Sequence, residues 1–530
     1  MRNPKTDSEK DLNSERLNEI RRKVAATAAA EAKKTSTKSR RLSSAALAKA
    51  LKDGEAGDRN IIVRLGKGRF LFDYSTEQFF LFRDHRWCVD EKRQHLVLVD
   101  EYKALLLSES RRIKRAMKQP GYNSAARAGD AKRVKALKER VDALNRLEYR
   151  RRILDFSTVG EAGLGITGKE WDMNTHLLCF MNGVLDLRTL EFRDGRPEDY
   201  LQMQIPCQWT GIDTPAPAWE KALEAILPLD PLAPDRGGDI EVIKYLQKAV
   251  GYSLLGDPRE HILIILIGVG QNGKGTILEI LGYVFGPLAG PVPSEMLLEQ
   301  NFARSGSAPS ADIMALRGRR LAWASESNEG RKLDSGKVKW LSGGDTITAR
   351  PPYGKKQITF RATHQLFLLT NHAPEVDPDD RALWYRLRLI PFMMSFVETP
   401  TAPNERKRDK GLVARLQGEA SGIAAWAIRG YREYLQTGLV APSRVTMATS
   451  EYRGQNDLIS QFVSECLVAD KAAAVTGSRL YATYQQWAEK SGQRPLPNNK
   501  FAARIREKIG APTKTSSGSE YRGYRARPSK

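Results

Sequence analysis

A glycine-rich loop between an apolar strand and a helix constrains this 530-residue chain more than any other feature. The loop reads Gly268-Val-Gly-Gln-Asn-Gly-Lys-Gly-Thr276, and it lies between the apolar run Ile262–Ile267 and the helix-like segment Ile277–Val284. In that context, backbone N–H groups and a helix N-terminus surround a phosphate group. The sequence therefore predicts an α/β fold with a site for the phosphates of ATP. The predicted phosphate-binding residues are Gly268, Gly270, Asn272, Gly273, Lys274, Gly275 and Thr276.

Two side chains of this loop have separate predicted roles. Lys274 would reach the β- and γ-phosphates. The common pattern places a serine or threonine directly after the lysine to bind Mg²⁺, whereas this chain has Gly275 there and Thr276 one position later. Thr276 is therefore the candidate Mg²⁺ ligand of the loop, displaced by one residue from the common position.

Further apolar segments after the loop indicate more buried strands of the same domain, and two of them end in a polar side chain. Glu326 ends the strand that contains Leu321-Ala-Trp-Ala, and Asn371 follows the strand that contains Phe367-Leu-Leu. A nucleoside triphosphatase needs an acid at such a position to hold Mg²⁺ or orient the attacking water. Glu326 is the candidate for both roles, and Asn371 would contact the water or the γ-phosphate. The four predicted strands are His261–Ile267, Arg320–Ala324, His364–Thr370 and Leu387–Pro391.

Two basic features lie near these strands. A Tyr353-Gly-Lys-Lys356 tip is flanked by short β-rich runs, which predicts a hairpin that presents Tyr353, Lys355 and Lys356 to a nucleic acid. Arginines also precede and occupy the strand that ends at Pro391. An arginine delivered to the γ-phosphate of a neighbouring subunit stabilises charge in the transition state. Arg386 is the first candidate for this role, and Arg381 and Arg388 remain open.

The net charge of +22 is concentrated in three blocks. Residues 1–50 contribute +7, residues 101–160 contribute +9 and residues 501–530 contribute +6, so the rest of the chain is formally neutral. Three basic blocks on a neutral body indicate contact with a polyanion at particular places. We expect these blocks to hold DNA outside the ATPase core.

The flanking regions predict smaller domains. Ile61-Ile-Val63 and the aromatic runs near Phe70 and Phe79 are typical of short strands, while residues 109–152 have helical periodicity broken near Pro120-Gly121. Leu177–Leu187 predicts a hairpin with a turn at Asn182-Gly183, residues 214–217 form a linker, and residues 400–450 are typical of helices. From Leu458, three helical stretches precede a Gly/Ser hairpin, as in a winged helix.

The composition excludes several classes of protein. No apolar run approaches the ~20 residues that a membrane span requires, and the charged N-terminus lacks the apolar region of a secretory signal. Four widely separated cysteines argue against a zinc site or a disulfide framework. We therefore expect a protein without a membrane partner, in a reducing cytoplasm such as that of a bacterial host.

The four motifs together closely resemble those of superfamily 3 helicases, in particular the phage, plasmid and poxvirus primase–helicases. The motifs that carry the resemblance are Gly268 to Lys274, Ser325-Glu326, Gly343-Gly-Asp345 with Arg350, and Asn371-His-Ala-Pro374. Upstream, Asn182-Gly-Val-Leu-Asp186 resembles the domain that precedes the motor in this family. Downstream, Tyr452–Phe462 and Leu480–Trp487 resemble its winged helix. The similarity covers roughly residues 60–525.

The resemblance implies a mixed α/β protein with an AAA+-like P-loop ATPase core, an N-terminal α+β collar domain and a C-terminal winged-helix domain. It further implies a homo-hexameric ring that translocates on single-stranded DNA, acts on fork or origin DNA and works with a separate primase or polymerase. Only about 60 residues precede the collar region, so we expect the helicase part without a primase domain. The predicted domains are a flexible basic arm (1–58), the collar (59–213), the ATPase (214–400), a helical segment (401–450) and the winged helix with its tail (451–530).

Two other functions remain open from the residues alone. An origin-binding initiator would use ATP for assembly and bind duplex DNA without processive unwinding. A nucleotide kinase is a further alternative, since Gly-Lys-Gly-Thr also occurs in that class, although the hairpin tip and the basic blocks argue against it.

Overall fold

The computed structural model describes residues 42–300, 310–326, 328–350, 357–493, 495–516 and 518–527. Its contacts divide the chain into two units. Residues up to Met173 together with Arg196–Gln202 form the first, and Asn174–Gly195 with the residues from Met203 onward form the second. The region predicted as a collar, residues 59–213, is therefore shared between the two units.

The first unit combines helices with a small sheet in the order β3-β2-β1-β4. Strands β1 to β3 form an antiparallel meander, whereas β4 pairs with β1 in parallel. The helices are α1 (Ser44–Lys52), α2 (Glu55–Gly66), α3 (Val97–Ala116), α4 (Ser124–Ala143) and α5 (Leu147–Thr158), and the strands are β1 (Phe70–Asp73), β2 (Gln78–Arg83), β3 (Arg86–Val89) and β4 (Gly165–Ile166).

Two details of this unit differ from the sequence predictions. Ile61-Ile-Val63 lies in helix α2 and not in a strand, because Ile61, Ile62 and Leu65 together bury one face of that helix. Within the predicted basic arm, residues 44–52 lie in helix α1 and residues 55–58 begin helix α2, and Leu47 and Ala50 join the core of the unit. The predicted helix break near Pro120 is confirmed, since α3 ends at Ala116 and α4 begins at Ser124.

A fully buried carboxylate stabilises the helices of the first unit. Asp58 accepts a hydrogen bond of 2.7 Å from the Tyr102 hydroxyl and also contacts Tyr149 and the Arg140 guanidinium. A buried charge is tolerated only when it is paired and hydrogen-bonded. This cluster therefore ties α2 to α3, α4 and α5.

The second unit is built on a five-stranded sheet in the order β14-β8-β13-β10-β9, and every pair is parallel. All four strands predicted from the sequence are present. Strand β9 was missed because its sequence, Ala-Gly-Pro-Val, contains glycine and proline, which are tolerated at a sheet edge. The strands are β8 (Leu263–Ile267), β9 (Ala289–Val292), β10 (Leu321–Glu326), β13 (Gln365–Thr370) and β14 (Leu387–Pro391).

Helices cover both faces of this sheet, as the near-continuous apolar strands require. On one face, Ile264 and Leu266 pack with helices α6, α7, α8 and α13; on the other, Leu263 and Ile265 pack with α10, α11 and α14. The helices are α6 (Pro217–Ile226), α7 (Ile240–Leu254), α8 (Lys274–Phe285), α9 (Ala311–Met314), α10 (Ser335–Ser342), α11 (Arg381–Trp384), α12 (Leu412–Gly418), α13 (Ala420–Thr437) and α14 (Ser443–Asn456).

Three small sheets surround this core. The predicted hairpin is present, but its two-residue turn is Met181-Asn182, one residue before the predicted Asn182-Gly183, because Gly183 pairs with Phe180 as the first residue of a strand. Residues 405–407 form a strand, so the predicted helical segment begins only at Leu412. The strands are β5 (Leu177–Phe180), β6 (Gly183–Asp186), β7 (Glu191–Arg193), β11 (Thr346–Ala349), β12 (Ile358–Arg361), β15 (Ser395–Val397) and β16 (Glu405–Lys407).

The C-terminal residues form a helix, a strand, two helices and a hairpin around Phe462, Tyr484 and Phe501. The three predicted helices and the Gly/Ser hairpin are present. The first strand was missed, because Ala472-Ala-Ala within it favours a helix. The elements are α15 (Leu458–Cys466), β17 (Leu467–Thr476), α16 (Gly477–Lys490), α17 (Asn498–Ile509), β18 (Thr513–Thr515) and β19 (Gly518–Ala526).

The loop between β13 and α11 is held by the C-terminal elements. The Tyr452 hydroxyl donates to the Pro374 carbonyl, and the Asn456 side chain accepts from the Val376 N–H at 2.9 Å. Arg504 of α17 pairs with Asp377 at 2.7 Å and also contacts Asp379. Since Asn371 begins this loop, these contacts fix the backbone that follows the predicted sensor residue.

No helix in the described part of the chain combines the length and the apolar character that crossing a membrane requires.

A buried histidine makes the stability of the second unit depend on pH. His364 has its Nε2 atom 3.1 Å from the Leu341 carbonyl, and burial lowers its pKa to about 4 from an ordinary value of 6.5. The unfolded chain therefore binds a proton that the folded chain excludes, and stability falls as the pH drops from about 6.5 to about 4. In thermal melts between pH 6.5 and pH 4, we expect the Tm of His364→Gln to fall less steeply with decreasing pH than the Tm of wild type. If the Tm of both proteins fell with pH at the same rate, His364 would not be the source of the pH dependence.

The Arg504 contacts predict local protection of the loop from exchange. Exposed ion pairs contribute about 0.2–1 kcal/mol, so Arg504→Ala should accelerate amide exchange of residues 371–380 several-fold while leaving the global Tm nearly unchanged. Arg506, which is exposed on the same helix, provides the matched control. Equal acceleration in Arg506→Ala would assign the effect to helix α17 as a whole.

Candidate active site

The carboxyl ends of four parallel strands meet at one edge of the central sheet. Thr370 of β13 is in register with Ile267 of β8 on one side and with Glu326 of β10 on the other, and Pro391 of β14 also pairs with Ile267. From β8 the chain crosses to β9 at the far edge of the sheet, and β10 and β13 fill the space between them. It then passes to β14 on the other side of β8, so the direction of the connections reverses beside β8. Ligands of open α/β sheets bind in the crevice at such a point.

The glycine-rich loop leaves this edge in a backbone path that only glycine permits at two positions. A Cβ atom at Gly268 would lie 2.1 Å from the Phe392 carbonyl oxygen. Gly273 has φ +86° immediately before α8, and a Cβ there would lie 2.7 Å from the Ile226 side chain. These glycines therefore allow the loop to lie flat against β14 and α6.

Asn272 anchors the loop from within. Its side chain is buried, and its Nδ2 atom donates to the Val269 carbonyl at 2.8 Å and to the Phe392 carbonyl at 3.5 Å. The asparagine predicted to bind phosphate thus acts in this structure on the backbone of the loop. Its contacts hold the curve that leaves the following N–H groups at the start of α8.

Lys274 lies inside this curve. The residue is 5% exposed, its Nζ atom donates to the Gly268 carbonyl, and burial lowers its pKa to about 8. Among the described residues its ammonium group has no carboxylate partner. A buried cation without a countercharge is costly, and an anion in the loop would relieve that cost.

The remaining loop residues leave space above the helix N-terminus. A Cβ atom at Gly270 or Gly275 would meet nothing within 4 Å. Thr276 is half-buried in the first turn of α8, two residues after Lys274. All seven predicted phosphate-binding residues therefore belong to one continuous loop and helix start.

Glu326 ends β10 and is 9% exposed. One carboxylate oxygen accepts from the Asn328 N–H at 2.8 Å, and the other accepts from the Ser294 hydroxyl at 3.3 Å. Ser294 follows β9, so the edge strand orients the acid. Since β13 separates β8 from β10, Glu326 lies two strand spacings, about 10 Å, from the end of β8.

Asn371 lies between the loop and the acid, directly after Thr370. Thr370 is buried, and its hydroxyl accepts from the His372 N–H at 3.2 Å, which turns the chain sharply at the end of β13. The Asn371 side chain is half-buried and has no hydrogen-bond partner among the described residues. The structure thus brings Lys274, Asn371 and Glu326 to one edge in the order expected for phosphate, water and metal contacts.

The candidate arginines lie at the opposite edge of the sheet. Arg386 precedes β14, whose first residue pairs with Leu263 at the amino end of β8, and its guanidinium donates to the His261 carbonyl at 3.1 Å. Arg388 donates to the Tyr385 and Leu387 carbonyls, and Arg381 is exposed at the start of α11. The five residues of β14, about 16 Å, separate Arg386 from the loop end of the sheet, so Arg386 does not serve the loop of its own subunit.

The predicted hairpin is present at its base, where β11 and β12 pair with Ala349 opposite Ile358. Its tip, with Tyr353, Lys355 and Lys356, lies outside the described residues. Strand β11 follows α10 and the Gly343-Gly344 turn, so the hairpin belongs to the same domain as the loop.

Two parts of this site were missed from the sequence. The Ser294 hydroxyl donates to Glu326, 32 positions later in the chain. The Phe392 carbonyl accepts from Asn272, 120 positions earlier. The chain around Ser294 carries no motif, and a backbone carbonyl has no sequence signal. Knowledge of the strand order would have been needed to find either.

The donor set suits a hard cation. Thr276 offers a hydroxyl and Glu326 a carboxylate, and Mg²⁺ takes oxygen ligands while keeping several waters and bridging phosphates. No group of three or more His, Cys, Asp or Glu residues that could hold a metal occurs among the described residues. A metal bound chiefly through nucleotide phosphates needs no such group.

Comparisons with known proteins match three segments of the chain. Residues 59–228 match the family described as D5 N terminal like, residues 266–386 match a family of unknown function, and residues 454–530 match the family described as Poxvirus D5 protein-like. A solved structure titled "The A form apo structure of NrS-1 C terminal region-CTR" is 10% identical, with a TM-score of 0.43 over 87% of this chain and 98% of that chain.

Several curated relatives come from large DNA viruses. "Putative helicase L207/L206" of Acanthamoeba polyphaga mimivirus is 26% identical over 85% of this chain and 48% of that protein. "Putative helicase 184R" of Invertebrate iridescent virus 6 is 29% identical over 57% and 33%. "Putative primase C962R" of African swine fever virus is 24% identical over 60% and 33%.

The chain spans about half the length of the first of these relatives and a third of the others. None of the names supports the bacterial host predicted from the sequence. The two D5 matches flank the ATPase motifs in the order that the sequence resemblance requires. The D5 N terminal like and Poxvirus D5 protein-like matches, together with the viral relatives, are consistent with the superfamily 3 primase–helicase family.

Proposed function

We propose that this protein is an ATP-dependent, ring-forming DNA helicase that translocates on single-stranded DNA during replication of a phage or other mobile element. The observation that carries the proposal is the common edge of β8, β13 and β10, where the buried Lys274, the half-buried Asn371 and the buried Glu326 lie in that spatial order. A chain that only binds nucleotide needs the loop, whereas hydrolysis also requires a placed acid and a water contact.

Each residue has a defined task in this proposal. The N–H groups at the start of α8 and the Lys274 ammonium bind the phosphates of ATP, with the positive end of the helix dipole behind them. Glu326, oriented by Ser294 and Asn328, accepts a hydrogen bond from the attacking water, and Asn371 holds that water or the γ-phosphate. Thr276 and Glu326 would hold Mg²⁺, which neutralises charge on the phosphates.

The strand order supports an AAA+-like core. Numbered along the chain, the five central strands lie in the order 5-1-4-3-2. This order places strand 4 and its terminal Asn371 between the phosphate loop and the acid. The helix, strand, helix, helix and hairpin of the last 70 residues similarly support a winged helix.

The arginines support action between subunits. Because Arg386 lies about 16 Å from its own loop, along the five residues of β8, it could complete only a site on a neighbouring copy. A ring with one loop and one arginine at each interface satisfies this geometry, and a hexamer is the expected form. Arg381, which is exposed, and Arg388 stay as alternatives.

Other parts of the prediction rest on the sequence. Lys355 and Lys356 would contact DNA within the ring, with Tyr353 stacking on a base. The names of the viral relatives include both helicases and primases, so a helicase without primase activity stays a prediction. A separate primase or polymerase is the expected partner.

Removal of the loop cation tests the function directly. We expect Lys274→Ala to reduce ATP hydrolysis at least 100-fold and to abolish strand displacement, with its Tm close to wild type. Lys221→Ala, at an exposed position of the same unit, is the control and should retain full activity. If wild type and Lys274→Ala both fail to displace strands while ATP-dependent rings still form, the protein is an initiator. Phosphate transfer from ATP to a nucleoside acceptor would instead identify a kinase.

The low pKa of Lys274 predicts proton uptake on nucleotide binding. Free Lys274, with a pKa of about 8, is half-deprotonated near that pH. Phosphates favour the charged form and raise the pKa, so ATP affinity should fall as the pH rises above 8. Calorimetry at pH 8.5 in buffers of different ionisation enthalpy should report uptake of more than half a proton, declining to about a tenth of a proton at pH 7. Lys274→Arg, which stays charged, should bind without this uptake.

A further inference from the structure

The positive charge of the first unit is concentrated on one helical hairpin. Residues 111–138, which span the end of α3, the turn at 117–123 and most of α4, contain ten Lys and Arg but only one acid, Asp130. The excess of positive charge that the sequence places in the 60 residues 101–160 therefore lies within the 28 residues of this segment. We call these residues the basic hairpin.

The structure separates the cations of the basic hairpin into two groups. Arg112 and Arg133 pair with the buried Glu109 at 2.9 and 2.8 Å, and the Ser44 hydroxyl also donates to this carboxylate. These two arginines satisfy a buried charge and hold α4 against α3. They are therefore part of the fold.

The other group points outward. Its eight members have no carboxylate partner in the described part of the chain, and all are exposed: Arg111, Lys114, Arg115, Lys118, Arg127, Lys132, Lys135 and Lys138. Arg111, Lys114 and Arg115 follow the spacing i, i+3 and i+4, which places them on one face of the last turns of α3, and Lys118 follows in the turn directly after that helix. Like charges at this density repel one another, and a polyanion would relieve the repulsion.

The surface lacks what a single-strand site normally contains. Proteins that bind single strands stack bases on exposed aromatic rings. The one aromatic residue of the basic hairpin, Tyr122, donates its hydroxyl to Asp130 and is half-buried. Cations without rings match a backbone that offers only phosphates, as duplex DNA does.

We propose that the outward cations of the basic hairpin bind the phosphate backbone of duplex DNA, without sequence preference. This contact is separate from the predicted single-strand contact of the β11–β12 hairpin. It deepens the proposed function by giving the helicase a duplex-holding surface, and rests on that function only in taking DNA as the partner. Because α3 and α4 carry it, nucleotide binding is not required.

The test compares two triple variants of the full chain in the absence of ATP. Lys114→Gln/Arg115→Gln/Lys118→Gln removes three outward charges of the hairpin. Lys221→Gln/Lys244→Gln/Arg432→Gln removes three exposed charges from the second unit and matches the change in net charge. Affinity for a 30-base-pair duplex and for a 30-nucleotide single strand is measured between 50 and 300 mM salt.

We expect the hairpin variant to lose at least tenfold in duplex affinity at 100 mM salt, with its Tm unchanged or raised. Its log–log salt slope should decrease in magnitude by about 2 to 3, since each lost phosphate contact contributes about 0.9. The control variant should stay within twofold of wild type. Equal losses in both variants would overturn the proposal, as would a larger loss of single-strand than of duplex affinity.

Duplex affinity and basal ATP hydrolysis, measured separately, distinguish failure of this proposal from failure of the proposed helicase function. Lys274→Ala should retain wild-type duplex affinity, and the hairpin variant should retain basal ATP hydrolysis. A wild-type protein without ATP hydrolysis would refute the helicase while leaving the duplex result standing. Unchanged duplex affinity combined with lost binding to phosphatidylserine vesicles would assign the basic hairpin to a membrane surface and overturn the proposal.

Discussion

The register between β13 and its two neighbours is the constraint on which the candidate site depends. Thr370 pairs with Ile267 on one side and with Glu326 on the other, so the hydrogen bonds of the sheet fix where the glycine-rich loop begins and where Asn371 and Glu326 lie. Because side chains alternate along a strand, a slip of one residue would turn every apolar side chain of β13 to the wrong face. Such a slip would exchange Leu366 and Leu368, which pack in one core, with Phe367 and Leu369, which pack in the other, so the close packing of both cores favours the observed register. Packing of the two cores thus sets the geometry of the site.

The polar groups of the site are held mainly by backbone atoms. Asn272 and Lys274 donate to carbonyl oxygens, and Glu326 accepts from a backbone N–H and a serine. Such contacts position the groups without neutralising the Lys274 ammonium, which is why burial alone lowers its pKa. In the first unit, by contrast, the buried charges are neutralised, because Asp58 and Glu109 are surrounded by arginines and hydroxyls. Charge is therefore neutralised where it supports the fold and left unpaired at the loop and on the basic hairpin.

The sequence predicted most of the second unit because its signals are local. The strands β8, β10, β13 and β14 are continuous apolar runs, and the loop with its flanking strand and helix has one common structural context. Prediction failed where tertiary contacts override local preference. Ile61-Ile-Val63 favours a strand by composition but lies in α2, β9 contains glycine and proline, and β17 contains three consecutive alanines. Contacts, and not composition, place β5 to β7 with the second unit.

The sequence by itself determined the glycine-rich loop between a strand and a helix, the apolar strands and the size of the positive charge, because each depends on neighbouring residues or on composition. Only the tertiary structure decided which side chains share an edge. The insertion of β13 between β8 and β10 is a long-range pairing, and Ser294 reaches Glu326 only because β9 lies beyond β10. The structure also decided which cations are available. Arg133 and Lys132 are adjacent and chemically alike, yet one pairs with a buried carboxylate and the other faces solvent, since a helix turns successive side chains by about 100°.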